Sequence, residues 1–304
     1  MFIIIGAGFS GLAAARILHK AGKDFLVMEA RIRPGGRVHT LRYADDRYLD
    51  LGGQWIGPGQ HRMYELATEY KLEWFDTYNS GKNIIDLKKK IWTYTGLIPG
   101  IGLPSLLNIR YVISQLDRYA AGIHTRTPWQ HNRAAFYDSI SLDCFVRKNC
   151  LTRNAYQVLR TGLETVFACN LNEISLLHAL FYIKSGNNLN TLLSIEKGAQ
   201  QHRIKGGMQL LAEHMAQPFR ERIRYNHAVK KIIQNEHEVV VSGEGFSYRA
   251  NRIIIAIPPV LIRDIRFEPA LPFQKQQLLQ KLSMGTVGKV FGVYPSPFWR
   301  KAGF

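Results

Sequence analysis

The sequence predicts an α/β fold in which a Rossmann-like dinucleotide-binding domain is interrupted by a largely helical α+β insertion. Three observations predict it. The apolar run Ile3-Ile4-Ile5 feeds the loop Gly6-Ala7-Gly8-Phe9-Ser10-Gly11 and then a helix of small residues. A second apolar run, Phe25-Leu26-Val27-Met28, ends on the carboxylate Glu29. From about residue 76 to residue 204 the hydrophobic period turns helical, and after Gly206-Gly207-Met208 short strand patterns resume.

Each glycine of the first loop has a physical reason. Gly6 permits the tight strand-to-helix turn, Gly8 lets a pyrophosphate approach the backbone, and Gly11 lets helix and strand pack closely, so an anion sits on the positive helix end. Ser10 completes that cradle. Glu29 stands at the spacing where an acid accepts both hydroxyls of an adenosine ribose. Strand, helix and acid line up, which makes the loop a nucleotide site rather than a mere turn. Glu29 is followed by Ala30-Arg31-Ile32-Arg33-Pro34-Gly35-Gly36-Arg37 and later by Asp50-Leu51-Gly52-Gly53-Gln54-Trp55-Ile56-Gly57-Pro58-Gly59-Gln60. A nicotinamide-binding domain carries no such appendage. Arg31 and Arg37 suit phosphate charge, because the planar guanidinium presents a fork of donors.

Further along, a helix is expected around residues 62–71. Helical periods then recur over 111–119, 141–149, 153–167 and 175–184, separated by Pro and Asn breaks. After 206–208 a helix runs to about 220, followed by strands over 223–233, 239–242 and 246–249. Gly243-Glu244-Gly245 is a hairpin signal. Residues 252–257 form an almost wholly apolar strand stopped by Pro258-Pro259, since proline cannot continue a central strand.

Composition sets the outer limits. A chain of 304 residues with 46% hydrophobic and 11% aromatic residues is ordinary for a globular protein and long enough for two packed domains. The first fifteen residues are apolar, but no basic region precedes them and the loop glycines interrupt them, so they read as strand and helix rather than a signal sequence. No apolar stretch reaches the length of a membrane span. Cys144, Cys150 and Cys169 show neither metal-ligand spacing nor a secreted disulfide pattern, which points to a reducing, cytoplasmic setting. The dispersed histidines show no helical metal-site spacing, so no metal is expected. The net charge of +17 raises the question of nucleic acid. Apart from Lys88-Lys89-Lys90 the basic residues are scattered, without a recognition helix or stacking positions, and they read as a solvated surface with no nucleic-acid partner.

The runs 29–37 and 50–60 resemble flavin-binding signatures of the flavin-containing amine oxidase family, which includes monoamine oxidases and bacterial putrescine and polyamine oxidases. The resemblance continues through Pro128-Trp129, Tyr137-Asp138-Ser139, Gly198-Ala199-Gln200, Gly206-Gly207-Met208, residues 253–259, Gly288-Lys289 and Pro297-Phe298-Trp299-Arg300. It implies an FAD cofactor and a discontinuous FAD-binding domain of residues 1–75 and 205–278, with 76–204 and 279–304 in a substrate domain. By resemblance, Gly6, Gly8, Ser10 and Gly11 hold the pyrophosphate, Glu29 holds the ribose, and Arg31 and Arg37 neutralise phosphate charge. Gly35 and Gly36 let the backbone pass close to the cofactor. Gly52, Gly53, Gln54 and Trp55 run beside the isoalloxazine ring, and the backbone of Val229 meets adenine. Lys289 matches the family lysine that holds a water against the flavin's reactive nitrogen, and its apolar neighbours lead us to expect it buried. Gln200 matches a polar residue of the amine cavity, and Leu193 an aliphatic gate.

The implied reaction oxidises a small-molecule amine to an imine that hydrolyses to aldehyde and ammonia, with O2 reduced to hydrogen peroxide. An L-amino acid or a polyamine is the alternative substrate class. Two departures from the family stand out. Gly59 replaces a hydroxyl residue of many relatives, and the sequence stops at Phe304 where relatives continue. The resemblance therefore leads us to expect a flavin pocket open on one side, and a chain that is inactive alone or binds flavin only with a complementary C-terminal polypeptide; that polypeptide or a second copy in a homodimer is the expected partner.

Overall fold

The computed structural model describes residues 1–87 and 90–304; Lys88 and Lys89, two of the lysines in the run noted above, lie outside the described residues. The chain divides into two compact units, one of Met1–Gln54, Arg62–Phe75 and Arg203–Met284, the other of Trp55–His61, Asp76–His202 and Gly285–Phe304. Three stretches fall differently from the expected boundaries, among them residues 203–204, which belong to the first unit rather than the second. Residues 55–61 belong to the second unit. Residues 279–284 belong to the first, because the helix Phe273–Lys281 buries Leu279 and packs on the short helix Pro259–Ile262.

The first unit is built on a parallel sheet. Strand β1 (Phe2–Ile5) lies between β2 (Phe25–Met28) and Arg252–Ile255, with Ile223–Arg224 outside β2. Such strands are covered on both faces and so read as continuous apolar runs rather than alternating ones. Ile3, Ile4 and Val27 are fully buried accordingly. On one face, helix α1 (Phe9–Lys20) and the helix Gln209–Ala216 pack through Leu12, Ala15, Ala212 and Met215 onto Ile4 and Val27. On the other, Ile3, Ile5 and Met28 meet Ile232, Val239 and Val241 of a second sheet. That sheet has the order Phe246–Ala250, Val239–Gly243, Val229–Gln234, Arg266–Glu268. Its first two strands form the expected hairpin, turning through Gly245 at φ +74°.

The predicted strand over 223–233 is in fact two strands in different sheets. The chain leaves Ile223–Arg224, turns at Asn226 with φ +57°, and re-enters at Val229. The helix expected around 62–71 spans His61–Glu69, and the one expected to reach 220 is Gln209–Ala216 followed by a kinked 3-10 segment.

The second unit is mainly helical. Leu103–Ala121 extends the predicted 111–119 backward, since a proline is tolerated in the first helical turn. The other three periods are helices at Leu142–Asn149, Arg153–Phe167 and Leu176–Ser185. Their starts are fixed by side-chain caps: Ser141, Thr152 and Ser175 accept from the backbone N–H of Cys144, Ala155 and His178. Val112, Leu116, Leu159, Leu163, Leu180 and Ile183 belong to the shared core. A hairpin of Asn83–Leu87 and Lys90–Tyr94, absent from the sequence reading, precedes them.

Between two of these helices lies a polar cluster. The Tyr156 hydroxyl donates to Asp143 Oδ1 at 2.6 Å and Arg147 Nε donates to Oδ2 at 2.6 Å. Burial alone would raise the Asp143 carboxyl, but the bonds from Tyr156 and Arg147 outweigh it and hold the group below its ordinary value.

Two outcomes follow from this packing. At Gly11 an added Cβ would lie 1.9 Å from the Gly6 carbonyl oxygen, so Gly11→Ala should destabilise the first unit by about 3 kcal/mol in denaturant unfolding. An unchanged midpoint would show that the strand and helix can separate without cost. A carboxyl whose pKa falls on folding stabilises above its unfolded value of about 3.9, and that contribution is lost as pH drops through the folded value. Tyr156→Phe should therefore cost about 1 kcal/mol at neutral pH and progressively less below about pH 4. A pH-independent loss would remove Asp143 ionisation from the account.

Candidate functional site

In the first unit the N-terminus of α1 is uncapped and faces two glycines. Gly8 is the N-cap residue in extended conformation, no side chain caps the helix, and no acid occupies its first turn. The first N–H groups of a helix have no intrahelical acceptor, so here they face outward with the positive end of the dipole. Across from them, Gly35 and Gly36 adopt φ +108° and +59°, and a Cβ on Gly36 would approach Gly8 Cα to 3.2 Å. Two facing glycine backbones thus form a cradle that side chains would fill. Ser10 is exposed at its rim.

Glu29 follows β2 and is 6% exposed. Its Oε2 accepts from Ala7 N at 2.7 Å and its Oε1 from Arg31 N at 2.9 Å, which fixes the carboxylate against the loop. Each carboxylate oxygen keeps a second lone-pair site for a hydroxyl donor. The Glu29 and Arg31 carbonyls in turn accept from His227 N and Asn226 N, bringing the turn that leads to Val229 beside the acid. Val229 is half-buried at the head of its strand, where the pairing with Val239–Gly243 is bulged.

Of the three arginines, Arg31 and Arg37 are exposed, and Arg31 Nη1 also donates to the Gly36 carbonyl at 3.2 Å. Arg33 is the one the sequence reading missed. It turns inward, donating through Nη1 to the Val38 carbonyl at 2.7 Å and through Nη2 to the Gly36 carbonyl at 3.2 Å. Burial, then neighbouring Arg31, pull its pKa down against Glu29, yet a guanidinium stays protonated. Arg33 therefore staples the glycine turn. Burial, then the neighbouring charges of Arg33 and Arg31, push the His39 imidazole below its ordinary value. Gly52 sits on this turn, since its Cβ would fall 2.1 Å from the Arg37 carbonyl oxygen, and Gly53 N donates to the same carbonyl at 3.2 Å. Gln54, half-buried, ends this stretch.

The second unit holds the remaining candidates. Gly57 lies beside 198–199, since its Cβ would meet Ala199 Cα at 2.5 Å. Gln200 is half-buried in the turn closed by Gln201 N donating to the Gly198 carbonyl. Leu193 is also half-buried and packs on the helical core. Gly59 has φ +88°, a conformation a hydroxyl residue adopts only under strain.

Lys289 departs from expectation because it is exposed rather than buried. Its apolar neighbours Val287 and Val290 are 68% and 98% exposed, and residues 283–293 form no strand, so no apolar wall surrounds it among the described residues. Thr286 N donating to the Ala168 carbonyl pins the start of the segment. The Lys289 ammonium stands 6.0 Å from the centroid of the Trp55 ring, the outer limit of a cation–π contact. Two residues assigned to the ring end of a flavin thus come together.

Cys144, Cys150 and Cys169 are free thiols, and burial pushes Cys150 up to about 11, well away from reactivity. Among the described residues, no three His, Cys, Asp or Glu side chains are grouped to hold a metal, and no helix is long and apolar enough to cross a membrane.

Comparison with known proteins shows the family of the chain. The profile of the family described as flavin containing amine oxidoreductase matches residues 9–304. A putative flavin-containing monoamine oxidase AofH of Mycobacterium tuberculosis is 35% identical over 302 residues, covering 99% of this chain and 66% of that protein. Flavin-containing amine oxidase B of Homo sapiens is 31% identical over 301 residues, covering 98% of this chain and 58% of that protein. A mutant of putrescine oxidase superposes with a TM-score of 0.92 at 31% identity, covering 99% of this chain and 67% of that one. Cyclohexylamine oxidase from Brevibacterium oxydans superposes with a TM-score of 0.86 at 29% identity, covering 92% and 62%. The chain thus spans 58% to 66% of the length of the two relatives compared by sequence.

The cofactor is FAD, and the uncapped helix end, the facing glycines and the fixed Glu29 carboxylate suit its pyrophosphate and adenosine ribose. Glu29→Ala should weaken FAD by about tenfold or more, the worth of one or two charge-assisted hydrogen bonds, and leave FMN almost unaffected. Equal losses for both flavins, measured by titrating apoprotein, would detach Glu29 from the ribose.

Proposed function

The chain belongs to the flavin containing amine oxidoreductases, and from that premise we propose that the protein oxidises a small primary amine with O2 as electron acceptor. The balanced reaction takes amine, O2 and water to aldehyde, ammonia and hydrogen peroxide. FAD, held by the α1 N-terminus, Gly35–Gly36 and Glu29, would supply the two-electron redox chemistry between amine and O2. The observation that carries the reading is the glycine cradle at α1 with Glu29 beside it, which is built for the adenosine diphosphate half of that cofactor.

Each residue has a distinct task. The α1 N–H groups and the exposed Arg31 and Arg37 neutralise the pyrophosphate, while Glu29 orients the ribose. Gly52, Gly53, Gln54 and Trp55 line the ring end. Lys289 Nζ, 6.0 Å from the centroid of the Trp55 ring, would hold a water and bring positive charge to the ring end. Gln200 and Leu193 select the amine, one by hydrogen bonding and the other by bulk. The solved relatives named for putrescine and cyclohexylamine favour an aliphatic amine as substrate class. Free thiols favour a reducing, cytoplasmic setting.

A peroxide-coupled assay of the natural polypeptide across benzylamine, putrescine, spermidine and amino acids tests the reading. Turnover of the primary amines with a yellow, FAD-releasing protein is expected. Selective turnover of amino acids or spermidine would move the substrate class, and FAD-loaded protein that makes peroxide from none of them would sink the oxidase reading. Lys289→Met should retain FAD and slow one half-reaction by tenfold or more, on the order of a lost water-positioning contact. Stopped-flow traces with both rates unchanged would remove Lys289 from the site.

A further inference from the structure

Asp50 is fully buried, and a carboxylate loses much hydration energy when taken out of water. Its bonds are directed at two segments of the first unit. Oδ1 accepts from the Thr40 hydroxyl at 2.6 Å and from Met208 N at 3.1 Å, and Oδ2 faces Arg203 Nη2 at 3.3 Å. Thr40 completes the link: its hydroxyl accepts from Gln209 N at 3.1 Å, and its own N–H donates to Gln209 Oε1 at 3.0 Å. Gly207 is wedged against the same side chain, since its Cβ would lie 2.2 Å from Thr40 Cγ2.

The next residues along the chain are the ones assigned to flavin. Leu51 N and Gly52 N donate to the His39 carbonyl, and Gly53 N to the Arg37 carbonyl. Asp50 therefore stands where the Arg37–His39 stretch, the Gly52–Gln54 stretch and the entry to the helix Gln209–Ala216 are fixed together. The guanidinium it faces is poorly satisfied otherwise. Arg203 Nε is buried with no hydrogen-bond partner among the described residues, the guanidinium lies 5.7 Å from the Phe75 ring, and it is ion-paired with Asp50. An uncharged side chain of the same shape would leave that partly buried cation without its carboxylate.

We infer that Asp50 is a positioning residue for FAD: its ionised carboxylate, paired with Arg203 and Thr40, sets the backbone of Arg37 and Gly52–Gln54 against which the flavin lies. The inference rests on FAD as the cofactor and assigns Asp50 no contact with it.

The test uses apoprotein of the natural polypeptide titrated with FAD, read by flavin fluorescence and by the visible absorption of the bound ring, with thermal melting of each apoprotein alongside. Asp50→Asn should melt cooperatively, bind FAD about tenfold more weakly and shift the bound-flavin absorption band. Asp50→Asn combined with Arg203→Gln, which removes both charges, should recover part of that affinity. Thr40→Val, which keeps the carboxylate and Arg203, should weaken FAD about threefold. Wild-type affinity and spectrum in a folded Asp50→Asn protein would overturn the inference, as would wild-type behaviour of Thr40→Val should Asp50→Asn fail to fold. Loss of folding in both variants assigns the network to stability alone and also overturns it. A wild-type apoprotein that takes no FAD overturns the cofactor reading and this inference together, whereas a failure confined to the variants removes only the latter.

Discussion

The contact on which the rest of the cofactor half depends is the approach of α1 to the end of β1. Gly11 stands against the Gly6 carbonyl so closely that no other side chain fits. That closeness aims the start of the helix along the crevice at the strand ends, where its unpaired N–H groups gather. The Ala7 carbonyl beside it holds Gly35 N at 2.8 Å, and the Ala7 N–H holds Glu29. One tight turn thus places a positive helix end, a glycine face and a carboxylate in a common frame. Separate strands and loops then need only to be tied to that frame, and Arg33, Asp50 and Gln209 do the tying.

Polar groups inside the first unit share a logic. Arg33 and Asp50 carry opposite charges and neither is assigned to the cofactor directly, yet both hold backbone that is. Loops next to a ligand cannot rely on apolar burial, because the ligand must take the buried space; hydrogen bonds to backbone fix them instead. Arg33 satisfies carbonyls of the glycine turn, and Asp50 satisfies the Met208 N–H at the mouth of a helix.

Legibility in the sequence follows where local geometry alone dictates a residue. Gly6, Gly11, Gly35 and Gly36 can be read because a Cβ clashes or the backbone angle excludes one, whatever lies further away. The helices over 141–149, 153–167 and 175–184 are readable from their hydrophobic period, and Ser141, Thr152 and Ser175 cap them in the structure. What could not be read depends on distant partners. Arg33 is one of three arginines in seven residues, and only the fold decides which turns inward. Residues 223–233 form an unbroken strand pattern, yet Asn226 takes a left-handed angle and sends the halves to different sheets. Lys289 has apolar neighbours in sequence, but burial requires a surface to pack on, and in the structure Val287 and Val290 face solvent with it. The role of Asp50 was invisible for the same reason: its partners Arg203 and Met208 lie more than 150 residues away.

The central claim is that a diphosphate sits on the N-terminus of α1. The direct measurement is a titration of isotope-labelled apoprotein with ADP, followed through the backbone amides of Gly8, Phe9 and Ser10, with adenosine as the control. The account predicts that ADP moves these three amide resonances to saturation and that adenosine at the same concentration leaves them in place. ADP binding that shifts amides elsewhere while those of Gly8 to Ser10 stay fixed would contradict it.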